Sequence, residues 1–342
     1  MPSAESTPLL RLRDLEVSYG ARGIGRARPA VRAVAGVDLT VRHHTTLGLV
    51  GESGCGKSTL ARTVIGLQRA SGGSIEFEGE QIQAASPRRR RELTREIQMV
   101  YQDPYTSLNP RKTIGFIVAE GWRAHDGPVP KPERRDRTVE LLERVGLPAH
   151  MIDRYPHQLS GGQRQRVGIA RALTLHPKLV VCDEPVSALD VSVQAQTLNL
   201  LRELQADLGL GYLFIAHDLS VVRHVSDDVA VMYLGRIMEV GPAATVYERP
   251  LHPYTMSLLS AEPAARPWAE PPRERIVLAG DLPSPADPPS GCRFRTRCFM
   301  ARDVCATTTP ELRVVEGREV ACHFAEENID GRALAASAGG RA

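Results

Sequence analysis

The stretch Gly51-Glu-Ser-Gly-Cys-Gly56-Lys57-Ser58-Thr59 constrains this chain more than any other segment. It satisfies G-x-x-x-x-G-K-[ST], and it lies between a short apolar run, Thr46–Val50, and a segment, Ser58–Leu67, whose Leu60, Val64 and Leu67 have helical spacing. A strand that passes through a glycine-rich turn into a helix is a phosphate-binding P-loop. Gly51, Gly54 and Gly56 let the backbone wrap closely around anionic oxygens, and the helix N-terminus turns N–H groups toward them. Ser53, Cys55 and Thr59 complete the loop, Lys57 adds a point charge, and the Ser58 hydroxyl can ligate Mg2+.

Such a loop needs a partner strand carrying acids. Leu179-Val-Val-Cys182-Asp183-Glu184 is an apolar strand that ends in two carboxylates. Asp183 is expected to hold Mg2+ through water, and Glu184 to orient or deprotonate an attacking water. Strands are also expected at Ile97–Tyr101 and Tyr212–Ala216, with a helix over Val191–Leu208 that places Leu198, Leu201, Leu204 and Leu208 on one face. The core is therefore α/β. Leu9–Tyr19 alternates, a Gly/Arg-rich loop follows over Gly20–Arg28, and a strand near Val34–Val41 suggests an antiparallel β layer. The segment from about Tyr105 to Arg171 reads as a helical insertion interrupted by Pro128, Pro130 and Pro132.

At 342 residues the chain has room for about two domains. Hydrophobic residues at 42% and charged residues at 24% are globular proportions, and no run reaches the about 18 apolar residues of a membrane span. The opening residues carry no secretory pattern, so a cytosolic location is expected. A net charge of +3 lacks the field of a nucleic-acid binder, and Arg88–Arg91, followed by Glu92 and Glu96, is expected to be a solvated helix face. No nucleic-acid partner is expected. After Glu262 a Pro-rich linker leads to a small second domain, taken as 263–330, and 331–342 reads as a disordered tail. There is no internal repeat.

Between the two phosphate-site motifs lies Leu159-Ser160-Gly161-Gly162-Gln163, and with it the chain resembles the ATP-binding cassette (ABC) family. The resemblance covers about Leu9 to Glu262. It implies an ABC cassette with a RecA-like core, an antiparallel β subdomain and a helical subdomain, using ATP and Mg2+. It further implies that Ser160, Gly161, Gly162 and Gln163 cap ATP held by the opposite subunit of a dimer. By the same resemblance Tyr19 stacks on adenine, Gln102 contacts Mg2+ and water, Asp190 belongs to the D-loop, and His217 is the switch histidine. The segment Tyr105–Arg111 would receive a coupling helix from membrane subunits.

Narrower strings are similar to the ATPases of oligopeptide and dipeptide importers: Gln102-Asp-Pro104, Ser107-Leu-Asn-Pro110, Ala188 to Gln196, His252-Pro-Tyr-Thr255 and Leu282-Pro-Ser-Pro285. The strings around Cys182 and Phe214 look closer to the second, F-type subunit of such systems. This implies two permease subunits, a paralogous ATPase, an external substrate-binding protein acting indirectly, and a place on the cytoplasmic face of the membrane. The same motor could serve nickel, glutathione or sugars, and a soluble non-transport ABC ATPase is the alternative class. Cys292, Cys298, Cys305 and Cys322 crowd the C-terminal segment in a compartment that keeps thiols reduced. Three uses stay open for them: a zinc ion, an iron–sulfur cluster, or free thiols. The resemblance favours a [4Fe–4S] cluster.

Overall fold

A computed structural model describes residues 7–20, 31–125, 129–261, 276–278 and 280–329. Its strands, in chain order, are β1 (Leu10–Tyr19), β2 (Val31–Val41), β3 (Thr46–Val50), β4 (Gly72–Phe77), β5 (Glu80–Gln81), β6 (Ile97–Val100), β7 (Leu179–Asp183), β8 (Gly211–Ile215), β9 (Asp228–Tyr233), β10 (Arg236–Pro242), β11 (Arg313–Val315) and β12 (Arg318–Val320). One sheet has the order β2-β1-β4-β5, and β1 runs antiparallel to both β2 and β4. Its apolar alternation, Leu10 and Leu12 followed by Leu15 and Val17, slips phase between Leu12 and Leu15. The slip is absorbed by a register shift at Asp14, whose φ of 44° is left-handed.

The second sheet has the order β11-β12-β10-β9-β3-β8-β7-β6. From β9 through β3, β8 and β7 to β6 the pairs are parallel, so β3 sits in the middle and its C-terminal end shares an edge with that of β7. Every residue of β3, β7 and β8 is buried, as expected for a parallel sheet covered on both faces. One face packs Leu60, Ala61 and Val64 of the helix Lys57–Val64 together with the antiparallel sheet. The other face packs against Ile114, Ile117, Leu142 and Val167 of the helical region. A crevice outside the C-terminal ends of such strands is where an open α/β sheet binds its ligand.

The helical region contains the helices Pro104–Ser107, Ile114–Val118, Glu120–Ala124, Arg134–Arg144 and Gly161–Leu173. Pro128 lies outside the described residues, as do most of the Gly20–Arg28 loop, the linker around Pro263–Pro272 and the tail. The helix expected over Ser58–Leu67 ends at Val64. Gly66 turns left-handed with φ 80° and throws Leu67 into solvent, so the third apolar residue of the periodic run packs nowhere. Arg88–Arg91 lie on the helix Pro87–Glu96, where Arg89 pairs with Glu80 at 2.7 Å and Glu96 at 2.9 Å.

The C-terminal segment packs onto the core. Strands β11 and β12 form a hairpin whose turn residues Glu316 and Gly317 both have positive φ, 51° and 75°, the pairing of a twisted two-residue hairpin turn. Strand β12 adds to the edge of β10 through Glu239↔Val320 and Val240↔Glu319. At this seam the fully buried Glu239 accepts the N–H groups of Leu251 (2.9 Å) and His252 (3.0 Å) and lies 3.7 Å from the buried Arg318. Phe294, also fully buried, stands among Tyr233, Tyr254 and His252 with ring centroids 5.2–5.8 Å away.

Candidate functional site

The P-loop leaves the end of β3 and is backed by the β9–β10 turn and β2. A Cβ at Gly51 would lie 2.1 Å from the Met232 carbonyl oxygen, and one at Gly56, where φ is 112°, would lie 2.1 Å from that of Ala33. Those two positions must be glycine because other backbone occupies the space. The Gly235 N–H donates to the Cys55 carbonyl at 2.8 Å and holds the loop from behind. On the open side Ser53 and Gly54 are exposed. Lys57 is buried, and its Nζ donates to the carbonyls of Gly51 (2.7 Å) and Glu52 (3.1 Å). Gly56 occupies the N-cap of the helix Lys57–Val64 and supplies no side-chain cap, so the first N–H groups stay available to an anion.

Ser58 Oγ donates to Asp183 Oδ1 at 3.0 Å across the β3–β7 edge. Burial raises the Asp183 pKa, against the Ser58 hydrogen bond that lowers it. A hydroxyl and a buried carboxylate facing each other beneath the loop are a fitting donor pair for Mg2+. The next residue, Glu184, has a left-handed φ of 47°, uncommon for a non-glycine residue and often found where a catalytic side chain must be aimed. Its N–H donates to the Ile215 carbonyl at 2.9 Å. Gln102 Nε2 donates to Glu184 Oε2 at 2.8 Å, and His217 Nδ1 lies 3.4 Å from the same oxygen. Three residues far apart in the chain thus meet at one carboxylate. Tyr19 is partly exposed at the end of β1, and its hydroxyl donates to Thr59 Oγ1 at 3.4 Å, beside the loop.

Ser160, Gly161, Gly162 and Gln163 lie elsewhere, at the start of the helix Gly161–Leu173. Ser160 Oγ accepts the Gln163 N–H at 3.3 Å and Gln163 Oε1 accepts the Ser160 N–H at 3.0 Å, a closed capping box. Gly161 and Gly162 border Leu189 and Val193, and Asp190 is exposed at the N-cap of the helix Val191–Leu208 without a side-chain cap. Ser160 and Gln163 bond to each other, and among the described residues no hydrogen bond joins this group to the P-loop.

Two contacts were not foreseen. The Glu52 N–H donates to the Tyr254 hydroxyl at 2.9 Å, and Glu52 Oε2 pairs with Arg297 Nη1 at 2.7 Å. A signal was present, since Glu52 is an acid inside an anion-binding loop and calls for a cation. The partner stands 245 positions away, beyond any pattern.

The four C-terminal thiols sit near one another and are mostly buried. Burial, with the other thiols opposing ionisation, pushes Cys298 and Cys322 up to about 12. The Met300 N–H points at Cys298 Sγ and the Phe324 N–H at Cys322 Sγ, each at 3.4 Å. The donor type suits a soft metal, but the spacing does not close a site. Among the described residues no group of three or more His, Cys, Asp or Glu could hold a metal ion, so neither a [4Fe–4S] cluster nor zinc is supported here.

Residues 34–187 match the family described as ABC transporter, and residues 238–305 match that described as oligopeptide/dipeptide transporter, C-terminal region. The oligopeptide transport ATP-binding protein AppF of Bacillus subtilis (strain 168) is 50% identical over 328 residues, 95% of this chain and 99% of AppF. The chain belongs to the oligopeptide/dipeptide family of ABC transporter ATP-binding proteins. This cassette is likewise 49% identical to the oligopeptide transport ATP-binding protein OppF of Escherichia coli (strain K12), over 92% of this chain and 95% of OppF. Its fold is similar to the dimeric ATP-binding cassette MJ0796 bound to ADP and Pi, with a TM-score of 0.61 and 26% identity over 68% of this chain and 98% of that one. The ABC fold expected from the motifs is therefore the fold of the chain.

Proposed function

We propose that this chain is the ATP-hydrolysing subunit that energises import of oligopeptides or dipeptides through a separate membrane permease, at the cytoplasmic face. The observation that carries it is the meeting of Gln102, Glu184 and His217 beside the Ser58–Asp183 pair, below the P-loop. The relatives' names supply the peptide, and no described helix is long and apolar enough to cross a membrane.

Gly51 to Thr59 cradle the phosphates, Lys57 swings from the loop carbonyls to phosphate oxygens, and Tyr19 stacks on adenine. Ser58, Asp183 and Gln102 are the residues that would hold Mg2+, which when bound neutralises phosphate charge. Glu184 accepts a proton from water as its oxygen attacks the γ-phosphorus and the bond to the bridging oxygen breaks. Gln102 and His217 hold that carboxylate in place. Ser160 to Gln163 and Asp190 complete the site of the opposite subunit, a paralogous ATPase, while Tyr105–Arg111 docks a permease helix. An external substrate-binding protein delivers peptide to the other side. For Cys292, Cys298, Cys305 and Cys322 a [4Fe–4S] cluster rests on the family resemblance alone, since the thiols as they stand among the described residues do not form a metal site. About four iron per chain in anaerobically purified protein supports it, and zinc or no metal rejects it.

Glu184→Gln tests the function directly. In the assembled transporter it should keep ATP binding and cut hydrolysis at least about a hundredfold, the effect of losing a positioned base. Near-normal turnover would remove Glu184 from the role.

A further inference from the structure

The geometry points to Arg297 as a positioning residue of the nucleotide site: we propose that it cancels and turns aside the Glu52 carboxylate, and so sets the affinity of the P-loop for nucleotide phosphate. This rests on the P-loop reading above.

Glu52 is the one acid between Gly51 and Thr59. The loop attracts a polyphosphate through N–H groups and Lys57, and a bare carboxylate among them would oppose the ligand. Arg297 removes that opposition. Its Nη1 lies 2.7 Å from Glu52 Oε2, and the pair is shielded, with side chains 11% and 26% exposed. Screening by solvent is correspondingly weak. The rest of Glu52 is held as well, its N–H by Tyr254 Oη at 2.9 Å and its carbonyl by Lys57 Nζ at 3.1 Å. All three polar parts of this one residue are therefore fixed.

The arm that brings Arg297 is anchored on the same structure that backs the loop. Phe294, three residues earlier, fills the space between Tyr233 and Tyr254, and the Arg297 N–H donates to the Phe294 carbonyl at 3.0 Å. Arg293 donates to the carbonyl of Leu234, next to the Gly235 whose N–H holds Cys55. The Cys-bearing segment thus grips both flanks of the loop, and among the described residues its one charged contact with the loop is made to the loop's one acid. A purely mechanical clamp would need no charge at that point.

The test is titration of the purified full chain with MgADP, which separates affinity from hydrolysis, alongside thermal unfolding to verify the fold. Arg297→Ala should weaken MgADP binding about tenfold, a value expected for one uncompensated charge near the phosphates. Arg297→Lys should stay within about twofold of the parent, because the charge is kept. Glu52→Gln should tighten binding severalfold by leaving Arg297 unopposed, and Arg297→Ala with Glu52→Gln should return close to the parent. Rescue by the second substitution is the decisive readout, since a structural defect from losing Arg297 would not be repaired by neutralising Glu52. A double variant as weak as Arg297→Ala, or an Arg297→Lys variant as weak as Arg297→Ala, overturns the proposal. Lys57→Ala tests the P-loop itself: if that variant binds MgADP normally, the underlying reading fails, whatever the Arg297 variants do.

Discussion

Two glycine-bearing turns open helices in this chain, and they are held in opposite ways. At Gly56 no side chain caps the helix, and the buried Lys57 ammonium bonds to two loop carbonyls and, weakly, to the Cys55 thiol, so the turn presents unused donors. At Ser160 the cap is reciprocal, and the Ser160 hydroxyl and the Gln163 amide already satisfy each other's backbone N–H. An anion meets a full set of unused N–H groups and a cation at the first turn, whereas at the second two N–H groups are already taken by the capping box. The first turn offers an anion more free donors than the second.

The sharpest way to break this comparison is Lys57→Ala. It should weaken nucleotide binding to the isolated chain by about a hundredfold or more, measured by titration with MgADP, because the cation of the phosphate-binding loop is lost. Persistence of tight binding would show that the open helix end suffices. Ser160→Ala should leave MgADP binding to the isolated chain within about twofold but slow ATP turnover of the assembled transporter about tenfold. It should also lower the melting temperature by a few degrees at most, as loss of an N-cap costs about 1 kcal/mol. Equal loss of binding in the isolated chain would place the second turn in the first site. The smallest effect is expected for Tyr19→Ala, a weakening of about fivefold or less, the worth of one aromatic stacking contact. Full retention would take the adenine away from β1.

The phosphate site was legible because its parts are contiguous strings. Gly51 to Thr59 and Leu179 to Glu184 each announce a strand end and a chemistry within a few residues, and the parallel sheet then brings both ends to one edge, with β8 between them. Gln102 and His217 could be named from the resemblance but not placed, since their meeting at Glu184 depends on where β6 and β8 end. The contacts of Arg297 and Tyr254 with Glu52 were invisible for the same reason in stronger form. Hydrophobic periodicity also misled at Leu67, where a single left-handed glycine outweighs the pattern. The slip in β1 at Asp14 shows the converse, a phase error in the sequence that marks a real bulge.

The hairpin of β11 and β12 bears on how the chain is made. Until residues 313–320 leave the ribosome, β10 ends the core sheet with a row of unpaired backbone N–H and C=O groups, and an open strand edge is a template for pairing with another chain. The nascent cassette can therefore assemble its catalytic face before its edge is protected. A chain cut short ahead of Arg313 would retain every residue of the phosphate site and still be prone to aggregate through β10.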